Sequence, residues 1–151
     1  MKAFISIFAV LSALLLVRPA LAAGEVLPGP VMGQVLKVLD GDTMIVRARV
    51  WVGQDIEIKV RISGIDAPEM RGRCALERGR ARAARDYLRA RVKTGIVRLH
   101  LVQYGKYAGR VLARVETEDG VDIGAEMIRA GMARTYGGGK RNSWCTHPAR
   151  G

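Results

Sequence analysis

The chain has 151 residues, of which 49% are hydrophobic and 26% are charged. That length and composition suit one globular domain with tails, and they exclude a collagen-like or largely disordered protein. Two cysteines are too few for a disulfide-stapled miniprotein or for a zinc centre with four cysteine ligands. The formal net charge is +11, and 19 of the 25 basic residues are arginine. Because guanidinium groups pair with phosphates, this excess favours a polyanionic partner, although a codon-composition effect would also produce it.

The first 22 residues have the pattern of a secretory signal peptide. A basic start at Lys2 precedes an apolar run over residues 3–17, which is short for a membrane-spanning helix. Small residues then place the cleavage site after Ala22. We therefore expect a secreted or periplasmic mature chain without stable membrane insertion, the alternative being an uncleaved membrane anchor. Residues 23–32 are predicted to form a linker.

Five segments of the remaining sequence are predicted to be short β-strands. They cover residues 33–39, 43–51, 55–65, 96–102 and 109–117. Two segments, residues 75–92 and 123–130, are predicted to be helices. This order predicts a mainly β protein with helices (α+β): a five-stranded OB-type β-barrel with two packed helices over residues 33–136. Residues 137–151 are expected to form a short basic tail.

Four acidic residues lie at the ends of predicted strands. Asp40 and Asp42 flank a glycine, and Asp66 and Glu69 follow the third strand. Each pair could have a purely structural role, since Asp-Gly is a common turn and the second pair is typical of a helix capping box. Four neighbouring carboxylates, however, would repel one another without a cation or arginines among them. Oxygen ligands without a histidine or cysteine cluster suit calcium or magnesium.

Two arginines are placed near these acidic residues by the predicted strands. Arg61 lies on the polar face of the third strand, shortly before Asp66, and Arg110 begins the fifth strand. Either could be an ordinary solvated residue in a chain so rich in arginine. Beside the acidic residues, their guanidinium groups could instead bind a phosphate.

Three ordered motifs make the sequence resemble the staphylococcal nuclease (thermonuclease) family. They are Val38-Leu39-Asp40-Gly41-Asp42-Thr43, then Arg61 with Ile65-Asp66-Ala67-Pro68-Glu69, and then Tyr107-Ala108-Gly109-Arg110-Val111-Leu112-Ala113. The similarity covers residues 34–136. It implies an OB-type barrel and an endonuclease that uses one calcium ion per site to hydrolyse DNA and RNA to 3′-phosphate products.

The resemblance also implies a metal-binding set. Asp42 and Asp66 would bind calcium through their carboxylates and Ala67 through its backbone carbonyl, with Asp40 near the metal. Family members often have threonine where Ala67 stands, but a backbone carbonyl does not depend on that side chain.

The resemblance further implies three catalytic residues. Glu69 would be the general base that activates water, while Arg61 and Arg110 would bind the phosphate and stabilise the transition state. A carboxylate beside a cation and two arginines should be ionised at neutral pH and able to take a proton from water. One departure from the family pattern is Ala108, which is inserted after Tyr107 and puts the role of that tyrosine in question.

Three tyrosines have alternative interpretations. Tyr104, Tyr107 and Tyr136 could bind nucleic acid by stacking on bases, or they could simply pack. Trp144 is expected to be a packing residue.

Cys74 and Cys145 could be free thiols or a disulfide. Export favours the disulfide, which would tie the start of the first helix to the tail.

The leading hypothesis is therefore an exported, calcium-dependent endonuclease with DNA and RNA as substrates, expected to be a monomer. The alternative is a non-catalytic OB-fold protein that binds single-stranded nucleic acid. A basic protein that binds the cell envelope or another surface is a third hypothesis, supported by the charge alone. The acidic residues favour the first, because a protein that only bound phosphates would gain nothing from carboxylates facing them.

Overall fold

The computed structural model describes residues 24–93 and 95–145. The strands in these ranges are β1 Val26–Leu27, β2 Val31–Val38, β3 Thr43–Trp51, β4 Gln54–Ile62, β5 Ile65–Asp66, β6 Ile96–Tyr104, β7 Arg110–Thr117 and β8 Arg134–Thr135. The helices are α1 Ala75–Arg91 and α2 Ile123–Arg129. The predicted signal peptide and the end of the predicted tail, from residue 146, lie outside the described residues. Within the described ranges, no helix is both long enough and apolar enough to cross a membrane.

Five of the strands close into a barrel. β3 pairs with β2 and β4, and β6 pairs with β2 and β7, all in antiparallel orientation, while β4 and β7 run parallel. This pairing is that of an OB fold, so the prediction of a five-stranded OB-type barrel with two packed helices is confirmed.

The apolar faces of the strands fill the barrel. Met44, Val60 and Ile62 are buried there, and the helices add Leu88 and Met127 to the same hydrophobic cluster. Each such side chain contributes about 1.5–3 kcal/mol when it is buried. The helices therefore cover the barrel and do not form a separate layer.

The third predicted strand, residues 55–65, is divided in the structure. β4 ends at Ile62, a turn follows in which Gly64 has a φ of 78°, and β5 pairs with β8 as a separate sheet. A positive φ favours glycine, so this residue marks the break. The break takes Asp66 off the barrel strand and places it against Trp144.

The predicted linker also differs from expectation in one part. β1, which lies within residues 23–32, pairs with the β6 positions Val102 and Gln103. The backbone groups of this segment therefore satisfy part of the β6 edge, and the segment is not a wholly free connection.

Candidate active site

The turn between β2 and β3 carries the first two acidic residues. Asp40 Oδ1 accepts a 3.1 Å hydrogen bond from the Asp42 N–H, which fixes the turn. Gly41 allows the turn to pack on α1, because a Cβ at this position would lie 2.7 Å from the Cβ of Ala84. As a result, Asp42 is only 2% exposed.

Arg61 is the main partner of Asp42. It lies opposite Thr43 in the β3–β4 register, and its Nη1 donates a 2.7 Å hydrogen bond to Asp42 Oδ1. Thr43 Oγ1 donates another 2.7 Å bond to the same oxygen. Burial nevertheless raises the pKa of Asp42 to about 6, against the lowering effect of Arg61, and nearby Asp40 raises it as well. The protein therefore leaves the negative charge of Asp42 incompletely compensated.

Asp66 is a second buried carboxylate beside the first. The Ala67 N–H donates a 3.3 Å hydrogen bond to Asp42 Oδ2, which joins the two acidic segments. Asp66 Oδ1 lies 3.9 Å from Arg61 Nη2, is buried, and has no hydrogen-bond partner among the described residues. A buried carboxylate oxygen without a hydrogen bond, next to another buried carboxylate, suits a site for a hard cation.

Glu69 is the most accessible of these carboxylates, with a side chain that is 46% exposed. Its N–H donates a 3.4 Å hydrogen bond to Glu77 Oε1, and the Arg73 N–H donates a 3.0 Å bond to Glu77 Oε2. Gly72 makes room for this arrangement, since a Cβ there would lie 2.4 Å from Glu77 Cγ. Glu77, in the first turn of α1, therefore holds the loop that carries Glu69. This role could not be predicted from the sequence, because Glu77 fits the pattern of an ordinary helix residue.

Arg110 begins β7 with its guanidinium carbon 5.0 Å from the centre of the Tyr107 ring. Its Nε is buried and has no hydrogen-bond partner among the described residues. Tyr107 is 61% exposed, so the inserted Ala108 leaves this ring both at the surface and against the arginine. A guanidinium with an unpaired N–H can accommodate an anion.

One cleft of about 990 Å³ brings most of the predicted site residues together. Those that line it are Arg61, Asp66, Ala67, Glu69, Tyr107, Arg110 and Tyr136. Asp42 lies behind this lining and accepts hydrogen bonds from two of its residues, Arg61 and Ala67. Asp40 in turn accepts a hydrogen bond from the Asp42 N–H.

Arg141 also lines the cleft, and sequence reasoning assigned it no role in the site. Its guanidinium contacts Glu69, and its Nε lies 2.6 Å from Asp66 Oδ1 without hydrogen-bond geometry. Its Nη2 is 4.0 Å from Asp42 Oδ2. The segment predicted to be a loose basic tail therefore supplies a third arginine to the carboxylates.

A disulfide between Cys74 and Cys145 holds this segment in place. Its two Cα atoms lie 5.9 Å apart, and it joins the residue before α1 to the end of the described chain. The neighbouring Trp144 is buried, as a packing residue should be, but its Nε1 also donates a 3.0 Å hydrogen bond to Asp66 Oδ2. The cysteine pair was the sequence feature that could have located the tail.

The fold and the cleft define the class of protein: an OB-fold barrel that carries a cluster of carboxylates and arginines. The sequence profile of the family described as staphylococcal nuclease homologue matches residues 59–146. The chain therefore belongs to the staphylococcal nuclease homologue family, which confirms the resemblance carried by the three motifs.

Three similar proteins are described as nucleases. An Escherichia coli protein described as an uncharacterized endonuclease is 32% identical over 111 residues, which are 74% of this chain and 65% of that protein. The counterpart in Escherichia coli O157:H7 has the same identity and coverage. A micrococcal nuclease of Shigella flexneri is 34% identical over 108 residues, 69% of this chain and 58% of the relative. This chain thus spans a little less than two thirds of the length of these relatives.

Proposed function

We propose that the protein is a calcium-dependent endonuclease that hydrolyses phosphodiester bonds of DNA and RNA and leaves 3′-phosphate products. One observation carries the proposal: two buried carboxylates, an accessible third and two arginines meet at a single cleft. The relatives described as nucleases support the same activity. Carboxylates at this place would repel the phosphates of a nucleic acid that was only bound, so binding alone does not account for them.

The oxygen donors of the site fit a calcium ion. Asp42 and Asp66 would hold it through their carboxylates and Ala67 through its carbonyl, with Asp40 close by. Oδ1 of Asp66 has no hydrogen bond among the described residues, and burial raises the pKa of Asp42, so a cation here would stabilise the ionised form of both carboxylates. When bound, calcium would act as a Lewis acid on a phosphoryl oxygen and offset its negative charge.

Glu69 is suited to be the general base because it is accessible and next to the buried carboxylates. As the oxygen of water attacks phosphorus, its proton passes to the Glu69 carboxylate. The bond from phosphorus to the 5′ oxygen breaks, that oxygen takes up a proton, and the phosphate stays on the 3′ carbon. The guanidinium groups of Arg61 and Arg110 stabilise the negative charge that grows on the phosphate oxygens.

The surroundings of the cleft suit a nucleic-acid strand. Tyr107 and Tyr136 line it and can stack on bases, whose π-faces are all similar, so DNA and RNA are both acceptable substrates. The net charge of +11 adds attraction for the phosphate backbone that does not depend on sequence.

We also propose that the mature protein acts as a monomer in the periplasm or outside the cell. The signal-peptide pattern of residues 1–22 supports export. The Cys74–Cys145 disulfide is compatible with an oxidising compartment.

The experiment is to incubate the purified chain with plasmid DNA and with RNA, in calcium or in excess chelator, and to analyse the product ends. We expect cleavage in calcium to 3′-phosphate and 5′-hydroxyl ends, and none in chelator. Binding without cleavage under both conditions would support the non-catalytic single-strand-binding alternative. Cleavage that resists chelator would exclude the calcium site.

A further inference from the structure

Trp144 makes a contact that packing alone does not require. It is 7% exposed, and its indole N–H donates a 3.0 Å hydrogen bond to Oδ2 of the buried Asp66. The other oxygen of this carboxylate, Oδ1, has no hydrogen bond among the described residues, although Arg141 Nε lies 2.6 Å from it. The indole therefore holds Oδ2 of Asp66 by a hydrogen bond and leaves Oδ1 with an ionic contact alone.

Several neighbours fix the indole in this position. The guanidinium carbon of Arg134 lies 3.6 Å from the centre of the Trp144 ring, and its Nη1 donates a 3.1 Å hydrogen bond to the Ser143 carbonyl. Arg80 in α1 donates a 3.2 Å bond to the Trp144 carbonyl. The disulfide at Cys145 adds a covalent anchor at the next residue. A donor held by its ring, its backbone and a covalent bond can impose an orientation on its acceptor.

We propose that Trp144 is a positioning residue for the metal site: it fixes the orientation of Asp66 so that Oδ1 can bind the cation in exchange for its contact with Arg141, whose Nε lies 2.6 Å away. The inference rests on the proposed function, since it concerns the calcium that Asp66 would hold. Groups that hydrogen-bond a ligating carboxylate orient it and tune its affinity, and their loss typically lowers metal affinity by about 10–100-fold. A carboxylate without this bond can rotate, and it also carries an uncompensated buried oxygen.

The test is calcium affinity measured by titration calorimetry on the full chain. Trp144→Phe keeps an aromatic ring against Arg134 and removes the N–H donor together with the second ring of the indole. Trp51→Phe is the matched control, because it removes the same group from a side chain that is 72% exposed on the β3–β4 hairpin. We expect binding about 10–100-fold weaker in Trp144→Phe, and unchanged in Trp51→Phe. Wild-type affinity in folded Trp144→Phe would overturn the proposal.

A second measurement decides the case if Trp144→Phe does not fold. The chain has two tryptophans, so its NMR spectrum has two indole N–H resonances, and Trp51→Phe identifies which belongs to Trp144. We expect the Trp144 resonance to shift as calcium is added to the wild-type chain, while that of Trp51 stays in place. A Trp144 resonance that does not respond to bound calcium would overturn the proposal.

The proposed function and the role of Trp144 are tested by different results. Absence of calcium binding by the wild-type chain would overturn the proposed function, and the role of Trp144 with it. Calcium binding and cleavage by the wild type, with undiminished affinity in Trp144→Phe, would overturn the role of Trp144 alone.

Discussion

Replacing Asp42 by asparagine should stabilise the metal-free protein at neutral pH. The pKa of Asp42 is raised from 3.8 to about 6, chiefly by burial. The folded state therefore binds the proton of Asp42 more tightly than the unfolded state. The stabilisation of the folded state by this proton is present at low pH and is lost as the pH rises from about 4 to 6. At pH 7 the ionised Asp42 side chain lowers the free energy of unfolding, and asparagine removes that charge.

The size of the effect follows from the pKa and the hydrogen bonds of Asp42. Raising the pKa from 3.8 to about 6 costs at most about 3 kcal/mol at pH 7. The asparagine oxygen can still accept hydrogen bonds from Arg61 and Thr43. Its amide nitrogen cannot accept the bond from the Ala67 N–H, and the loss of that bond lowers the free energy of unfolding by about 1 kcal/mol. We expect a net gain of about 1–2 kcal/mol, which corresponds to an unfolding midpoint about 2–8 °C higher for a chain of this length.

The assay is thermal unfolding followed by circular dichroism at pH 4 and pH 7 in excess chelator. Asp55→Asn is the control, because Asp55 is an exposed residue whose pKa is lowered by its hydrogen bond with Arg49. We expect a gain for Asp42→Asn that is larger at pH 7 than at pH 4, and none for Asp55→Asn. In excess calcium the order should reverse, since only the wild type gains binding energy. A lower midpoint for Asp42→Asn at pH 7 in chelator would refute this reasoning, because the pairing with Arg61 would then outweigh the cost of burial.

Three further substitutions test two arginines of the cleft and the disulfide. Arg110→Ala should lower turnover by about 10²–10³-fold at every calcium concentration, because it acts on transition-state charge; recovery at high calcium in a steady-state cleavage assay would contradict that role. Arg141→Ala should tighten calcium binding measured by calorimetry, since a positive charge leaves the carboxylates; weaker binding would mean that the arginine orders them. Cys74→Ser should lower the unfolding midpoint, because the free energy of unfolding falls by up to roughly 4 kcal/mol in the chain-entropy treatment of a bridge between residues 71 apart; an unchanged midpoint would show that the bridge adds no stability.

The barrel could be predicted from sequence because its determinants are local. Alternating apolar residues mark the strands, and the change to helical spacing marks α1 and α2. The break in the third strand had a local sign as well: the apolar positions through Ile62 do not continue in phase to Ile65, and Gly64 lies between them. Two apolar residues such as Val26 and Leu27 are too short a run to indicate β1.

The contribution of the tail could not be predicted because it depends on contacts that are distant in sequence. Arg141 reaches Glu69, and Trp144 reaches Asp66 across 78 positions. No periodicity records such contacts, and a short segment rich in glycine and basic residues has the composition of an exposed tail. The cysteine pair indicated that the tail could be tied down, but not that it would cover the carboxylates.

In the proposed mechanism, Glu69 takes a proton from water in a metal-dependent cleavage. The most direct measurement is the single-turnover rate of cleavage of labelled DNA by the wild type and by Glu69→Gln at saturating calcium, with calcium and DNA binding measured for both. Glutamine keeps the shape of the side chain and removes the base. We expect a rate lower by about 10²–10⁴-fold with both binding affinities retained. Equal rates for the two proteins would contradict the assignment of Glu69 and the mechanism built on it.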